Sequence, residues 1–495
     1  MTSRVAIHSV SIALLALMSA QPAMAEFAML VASAESSSVD AKAADTSAAS
    51  KEASADPAAP AAPQCVLNGV SVGFFAIGET GFCGTVHGQV MEFLGKDFAT
   101  SDVGFVTQRL PSLRSAPGGL TLETAAPILF YYNKDVSYQT FGLYPGTDSM
   151  VNFLTFRETD LGTLSTFVNA RLVGRLERDS YGQYFSFSQI DGSAWMGAAD
   201  QAWVQLAGLR VGIQPSLFGF SRVGYAVTPG YSSILTTPAI SYTQRFDHIM
   251  GSPYSASLSI SAEDPSRREY ADGMLARYAS PRAPDIVGQT RVGMPGILIH
   301  FSGVLHQIRD ESADLCCNAP IVSTHGWAAS VGGEVRWKWS QLIGDLGGDF
   351  YGKVMVSAAG GQGALGYLGI PFMGLDYVAS STGVIQRSPG ESLIVSYEHL
   401  WMPTLKSSLT FSWFQTYLQS APETILPWAP PLGFETSVRG SRLQASLETM
   451  PAPGLTLGLE SAYTWSDANG QYNNLPAAPV VVGFPNLVAY IKKAF

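Results

Sequence analysis

The chain has 495 residues, of which 46% are hydrophobic and only 14% charged, and its formal net charge is −10. Soluble domains carry roughly 25% charged residues, so this composition argues against an ordinary cytoplasmic enzyme. The acidic balance gives no electrostatic support for nucleic-acid binding. With 49 Gly and 29 Pro, the chain is rich in residues that punctuate β structure, which excludes disorder for most of its length.

The N-terminal residues predict an exported protein. Residues 1–25 have the pattern of a secretory signal peptide, with Arg4 before an apolar stretch and a small-x-small cleavage signature at Ala23-Met-Ala25. A membrane anchor is the weaker interpretation, because the apolar run is shorter than the roughly 20 residues of a spanning helix. Residues 26–64 are rich in Ala, Ser and Pro and predict a mobile extension, with a docking Ala-rich helix as the alternative. One folded domain is expected over residues 65–495.

Beyond the extension, apolar and polar residues alternate with period two. In residues 254–263, Leu258 and Ile260 share one face with Tyr254, and serines occupy the other face. Residues 441–448 repeat the alternation, again with ionic side chains on the polar face. This pattern predicts β-strands with one apolar face and one polar or ionic face.

The placement of the aromatic residues separates a membrane barrel from a soluble β-sandwich, which also alternates. Strand ends repeatedly carry aromatics on the apolar face, among them Tyr254, Trp327, Trp401 and Tyr463. Membrane barrels show such aromatic girdles around an apolar outer band. An exported chain with no helical anchor satisfies its backbone in lipid only as a closed sheet. The chain end at Phe495 is also typical of a last strand read by the barrel-assembly machinery.

The length of the folded part predicts the number of strands. Residues 65–495 are 431 residues, which leaves room for about 16 spanning strands of roughly 10 residues each with their turns and loops. Barrels of roughly 16 to 18 strands enclose an aqueous channel. The fold class expected is therefore all-β, a closed antiparallel transmembrane β-barrel that forms a pore.

Several short segments, taken in order, resemble the alphaproteobacterial general porins, the family found in rhizobia and their relatives. They include residues 73–83 (GFFAIGETGFC), 202–212 (AWVQLAGLRVG), 259–265 (SISAEDP) and 399–405 (HLWMPTL). The resemblance implies a homotrimer of 16-stranded barrels in the bacterial outer membrane, in contact with lipid and lipopolysaccharide. It implies passive diffusion of ions and small hydrophilic solutes, an inward-folded third loop and no cofactor.

In that family the third loop narrows the pore, and it maps here to residues 216–238. Arg222 is the only ionic side chain in this stretch. Rings of charge set ion preference in a pore, so an anion or mixed preference is one hypothesis. The alternative is that the arginines only solvate a wide lumen and pair with neighbouring acids. The residues predicted to line the pore are Arg171, Arg175, Arg210, Arg222, Glu398, Arg442, Glu448 and Glu460.

Four cysteines allow three pairings in an oxidising compartment. The resemblance implies a disulfide between Cys65 and Cys83 at the start of the barrel. For Cys316 and Cys317, a loop staple is favoured over a vicinal disulfide, free thiols or a metal contact. Zinc is disfavoured because no histidines converge there.

Enzymatic motifs are weak. The glycine spacing of residues 361–366 matches a dinucleotide loop, but no helical pattern follows to hold a pyrophosphate, so a turn or loop is expected. His300 and Ser302 share a strand face, and the alternation points both into the lumen, away from lipid. The prediction is a channel and not an enzyme, with no catalytic or metal site. A substrate-specific channel and a structural barrel tethered to the cell wall by the extension are the alternatives.

Overall fold

The computed structural model describes the residues that form the strands and the shorter connections between them. The described ranges are 75–77, 82–97, 105–116, 119–132, 143–175, 196–220, 236–265, 282–310, 321–338, 350–369, 376–379, 385–419, 434–472, 475–476 and 480–495. The predicted signal peptide and extension, Cys65, Arg222, Cys316 and Cys317 all lie outside these ranges.

Sixteen long strands form one sheet. They are β1 (Phe82–Asp97), β2 (Leu143–Thr159), β3 (Gly162–Arg175), β4 (Met196–Leu206), β5 (Leu209–Pro215), β6 (Thr236–Phe246), β7 (Ser255–Glu263), β8 (Asp285–Met294), β9 (Ile297–Asp310), β10 (Val322–Lys338), β11 (Tyr351–Gln362), β12 (Pro389–Met402), β13 (Leu405–Gln419), β14 (Phe434–Ala452), β15 (Leu455–Tyr472) and β16 (Val480–Ala494).

Each strand pairs antiparallel with the next one along the chain, and the last pairs with the first. The closing ladder between β1 and β16 runs from Gln89 opposite Ala494 to Asp97 opposite Asn486. Phe495 and Gly88 also exchange two backbone hydrogen bonds, of 2.9 and 3.0 Å. A closed sheet has no free edge, and the prediction of a closed barrel of 16 antiparallel strands is confirmed.

Side-chain exposure shows that the apolar face of the sheet points outward. On β7, Leu258 is 58% and Ile260 55% exposed, whereas Ser259 and Ser261 between them are buried. On β14, the exposed Leu443 and Leu447 likewise alternate with the buried Arg442, Gln444 and Glu448. A soluble sandwich would bury the apolar face and expose the ionic one. The outer surface is thus matched to lipid and the inner face to polar contents.

Tight turns gather at one end of the barrel, called here the short-turn end. Two residues connect β8 to β9 and β14 to β15, and both turns contain a glycine with positive φ, Gly296 at +71° and Gly454 at +71°. A side chain is strained in that backbone region, which explains the glycines. Phe495 lies at this end, and the longer connections lie at the other, the long-loop end, except residues 339–350 between β10 and β11.

Aromatic side chains cluster on the outward face at two levels. Toward the short-turn end, Trp337 stacks on Tyr397 with ring centroids 6.3 Å apart, and Trp401 lies 4.1 Å from the His399 ring. Nearer the long-loop end, Trp465 lies 5.8 Å from Tyr463. This arrangement fits the aromatic girdles that border the apolar band of membrane barrels.

Shorter elements complete the described structure. Phe75–Ile77 pairs with the first residues of β1, and Leu475–Pro476 pairs with the end of β15. Two hairpins lie in connections between barrel strands: Phe105–Ala116 with Gly119–Tyr132, and Tyr377–Ala379 with Ile385–Arg387. The 3₁₀ turns are Ile249–Gly251 and Leu365–Leu368. Within the described ranges, no helix has the length and apolarity needed to cross a membrane.

Candidate pore lining and constriction

Four ionic side chains form a ladder across the inner face of β11 to β14, toward the short-turn end. Lys353 Nζ lies 2.6 Å from Glu398 Oε1, and Lys406 Nζ lies 3.6 Å from the other Glu398 oxygen. Lys406 Nζ also lies 3.2 Å from Glu448 Oε1. Side-chain exposure falls from 31% at Lys353 to 5% at Glu448, so water reaches the two lysines more readily. The ladder holds two cations and two anions and has no net charge.

The ladder changes the charge distribution expected from the sequence. The sequence predicts Glu398 and Glu448 as pore-lining acids but does not include Lys353 and Lys406 among the lining residues. Both lysines occupy inward positions of the period-two pattern, which was the signal available in the sequence. Because each glutamate has a lysine on a neighbouring strand, its field in the lumen is partly cancelled locally.

A second polar group lies beside the ladder on β14 and β15. Arg442 Nη1 donates to Thr464 Oγ1 at 2.9 Å, and Gln444 Nε2 donates to Glu460 Oε1 at 3.3 Å. Arg442 is 6% exposed and Glu460 is fully buried. Hydrogen bonds of this kind satisfy ionic groups that lie away from bulk water. They also fix the positions of both charged groups on this wall.

Arg210 on β5 is held on the inner face by its neighbours. Its guanidinium carbon lies 4.2 Å from the Trp203 ring, and its Nε and Nη2 donate to Gln205 Oε1 at 2.9 and 2.6 Å. The adjacent Val211 points outward and is 45% exposed. Stacking on an indole favours a guanidinium without neutralising it. Strand β5 lies eight strands from β13, so Arg210 is across the barrel from Lys406.

The other predicted arginines are only partly described. Arg171 and Arg175 belong to β3, with Arg171 opposite Met150 and Arg175 opposite Gly146, but their side chains lie outside the described part. The side chains of five of the eight predicted lining residues are described. Arg210 lies on β5, and the other four lie across the barrel on β12, β14 and β15: Glu398, Arg442, Glu448 and Glu460. That the arginines set the field of the constriction stays a prediction.

The predicted third loop begins with a segment that crosses the inner face of the barrel. Strand β5 continues to Pro215, and residues 236–238, assigned to the loop from the sequence, belong to β6 instead. Leu217 N donates to Glu263 Oε1 at 3.0 Å, and Gln289 Nε2 donates to the Leu217 carbonyl. Residues 216–220 therefore lie against the inner side of β7 and β8.

The same segment accounts for His300 and Ser302. Ser302 Oγ donates to the Phe218 carbonyl at 2.6 Å, and His300 Nε2 lies 3.1 Å from the same oxygen. A carbonyl only accepts, so both side chains are donors here. A nucleophile and its base must instead share a hydrogen bond with each other. The two residues fix the loop to the wall of β9, in accord with the prediction that they point into the lumen.

A second segment enters the lumen after β11, and the sequence did not predict it. Gly361 and Gln362 end the strand, and Leu365–Leu368 forms a single 3₁₀ turn. Among the described residues no α-helix follows these glycines, so the spacing does not mark a dinucleotide loop. The Tyr367 ring meets Phe218 edge-on at 5.3 Å, which joins the two inward segments.

Two further predictions concern cysteine and metal chemistry. Cys83, on β1, is disulfide-bonded, and its predicted pairing with Cys65 stays a prediction because Cys65 lies outside the described residues. No group of three or more His, Cys, Asp or Glu side chains within the described ranges is arranged to hold a metal ion.

Comparison with known proteins agrees with this geometry. Residues 145–317 match the sequence model of the Porin subfamily, over about a third of the chain. No curated protein matches the chain. The outer membrane channel DcaP of Acinetobacter baumannii is similar in structure, with a TM-score of 0.53 at 12% identity over 84% of this chain and 98% of that one. This similarity shows a common fold.

More distant similarity extends to two other solved structures. The anion-selective porin from Comamonas acidovorans has a TM-score of 0.41 at 9% identity, over 84% of this chain and 100% of that one. The OmpF complex of Salmonella typhi with daunomycin has a TM-score of 0.41 at 10% identity, over 85% and 99% of the two chains.

Proposed function

We propose that the protein is a porin of the bacterial outer membrane, a passive aqueous channel for ions and small hydrophilic solutes. The observation that carries this proposal is a closed barrel of 16 strands whose outer face is apolar and whose inner face is ionic. A sheet of this kind satisfies every backbone group in lipid. At about 16 strands it is also wide enough to enclose water. The match of residues 145–317 to the Porin subfamily supports the same function.

The proposal includes a homotrimer, assembly by the barrel-assembly machinery, contact with lipopolysaccharide and no cofactor. It favours a channel over an enzyme, because His300 and Ser302 anchor a loop segment instead of pairing with each other. The Porin subfamily match supports the general porin over the structural barrel, since that match covers strands β2 to β9 of the pore wall.

Single-channel recording in a planar bilayer tests the proposal. Detergent-purified protein, verified as folded by β-type circular dichroism, should give long-lived stepwise openings whose conductance rises in proportion to salt concentration. Folded protein that never conducts would overturn the open-pore function. Saturation of the current by one class of solute, with block by that solute, would indicate a substrate-specific channel instead.

A further inference from the structure

We infer that the segment following β11 is a second pore-narrowing element, distinct from the predicted third loop. Buried hydrogen bonds from Tyr367 to Asp285 and from Tyr377 to Asp310, called here the latch, hold it in the lumen. The segment is called here the lumen wedge and comprises residues 363–369 with Asp376 and Tyr377. The inference rests on the proposed function, since a wedge narrows a pore only if the barrel conducts. It identifies a size-determining element of that pore.

Backbone hydrogen bonds tie both parts of the wedge to the residue before β12. Gly363 N donates to the Ser388 carbonyl at 2.9 Å, and Ser388 N donates to the Asp376 carbonyl at 2.9 Å. Gly363 has φ of +65°, and a Cβ there would lie 2.7 Å from Ile308 of β9. The chain therefore turns sharply off β11 and runs close against the inner wall.

Apolar packing holds the wedge over a part of the wall that breaks the period-two pattern. Inward positions are mostly polar or ionic, but Val287 of β8, Val304 of β9 and Phe414 of β13 are apolar and at most 4% exposed. Leu365 and Leu368, both fully buried, pack in one cluster with these three side chains. Apolar groups facing a water-filled lumen are unfavourable in proportion to the area that water contacts. The wall is thus built for permanent cover by the wedge.

The latch begins with Tyr367 and the β8–β9 wall. The Tyr367 hydroxyl donates to Asp285 Oδ2 at 2.8 Å, and the other oxygen of Asp285 lies 2.8 Å from His306 Nδ1. Tyr367, Asp285 and His306 are each at most 1% exposed. The Tyr367 hydroxyl also lies 3.4 Å from Glu263 Oε2, on β7. Tyr367 therefore joins the wedge directly to β7 and β8, and the Asp285–His306 contact extends these polar interactions to β9.

A second part of the latch fixes the returning strand of the wedge. The Tyr377 hydroxyl donates to Asp310 Oδ2 at 2.7 Å, at the long-loop end of β9. The Asp376 carboxylate accepts a hydrogen bond from Leu365 N, within the wedge itself. A buried carboxylate is poorly tolerated without hydrogen-bond donors, so each of these contacts is costly to break. Such contacts favour one fixed position over a mobile one.

The wedge and residues 216–220 together occupy the lumen along β7 to β13. The two segments meet where Phe218 packs against Tyr367. Solutes must then pass between these two segments and the remaining wall, so the wedge reduces the open cross-section of the pore. Conductance and the size of solute admitted are the properties that this geometry controls.

The test removes the wedge and leaves the sixteen barrel strands intact. Residues 364–377 are replaced by a short Gly-Ser linker, and single-channel conductance and liposome swelling with sugars of increasing size are measured beside the wild type. We expect conductance to rise by about twofold, because the constriction widens, and larger sugars to enter. As a control, the turn at residues 248–252, at the short-turn end, is shortened by two residues and should leave both properties unchanged.

A milder variant covers the case in which the deletion fails to fold. Tyr367→Phe with Tyr377→Phe keeps both rings and removes the two donors, so the barrel is expected to form while the wedge becomes loose. Open-channel noise should rise, with transient openings above the wild-type level. Wild-type conductance, noise and size limit in the folded variants would overturn the wedge inference and leave the porin proposal standing. A wild-type protein that does not conduct would instead overturn the proposed function.

Discussion

Lys353 and Lys406 determine the electric field that a permeating ion meets at this part of the inner wall. Lys406 lies between Glu398 and Glu448 and within 3.6 Å of both. A paired carboxylate presents a weaker field to the lumen than a free one, because the two potentials largely cancel at a distance. The selectivity of such a wall depends on the balance within each pair more than on the number of acids.

Replacing Lys406 by Gln should therefore make the channel more cation-selective. Glu448 loses its lysine while Glu398 keeps Lys353, so one negative charge is added to the inner wall. We expect the reversal potential in a salt gradient to shift by several millivolts toward the cation limit. Lys493→Gln removes the same charge outside the lumen, where Lys493 donates to the Pro453 carbonyl, and should cause no shift. An equal shift in both variants would contradict this assignment.

The arginine hypothesis is tested at the same scale. If Arg171, Arg175 and Arg222 set the field of the constriction, their combined replacement by Ser should shift the reversal potential toward cations. The shift should be larger than that of Lys406→Gln, since three positive charges are lost. Unchanged selectivity in the folded triple variant would favour the alternative, in which the arginines only solvate a wide lumen.

At the scale of the elements, the strands were predictable from the sequence and the wedge was not. Period-two alternation identifies an outward and an inward face within each strand, and exposure on β7 and β14 follows it residue by residue. Val287 and Val304 violate that alternation, and their inward position makes sense only once Leu365 and Leu368 cover them. The wedge is a short apolar run among glycines, and its sequence shows neither a helical nor a strand period. The side chains it packs against, Val287, Val304 and Phe414, come together only when the barrel closes.

The outward face of β7 offers a direct test of the membrane orientation. Leu258→Lys places a charge on the exposed apolar face near the middle of the strand, and should destabilise the folded barrel by about 2–4 kcal/mol. Urea unfolding in lipid vesicles, followed by tryptophan fluorescence, measures this difference. Leu258→Met keeps an apolar side chain of similar volume and should stay within about 1.5 kcal/mol of the wild type. A harmless lysine would show that Leu258 does not face lipid.

At the scale of the whole molecule, we expect a homotrimer in which each chain forms one of three parallel pores. A homotrimer should insert as one unit, so each insertion in a planar bilayer should be followed by three equal closing steps at high voltage. The same preparation should migrate at about three times the monomer mass in unheated detergent gels and at the monomer mass after boiling. Insertion events with one closing step would contradict the trimer.

The seam between β1 and β16 has a consequence for the order in which the molecule is built. Its paired residues, such as Gln89 and Ala494, are about 400 positions apart, so this ladder joins the two most distant parts of the sheet. Contacts of such sequence separation form slowly, because the entropy of loop closure precedes any gain from pairing. Until the final fifteen residues arrive, two unpaired edges stay exposed and prone to aggregate. We therefore expect closure to be the last step of folding, and a chain that lacks its last strand to accumulate as an open sheet.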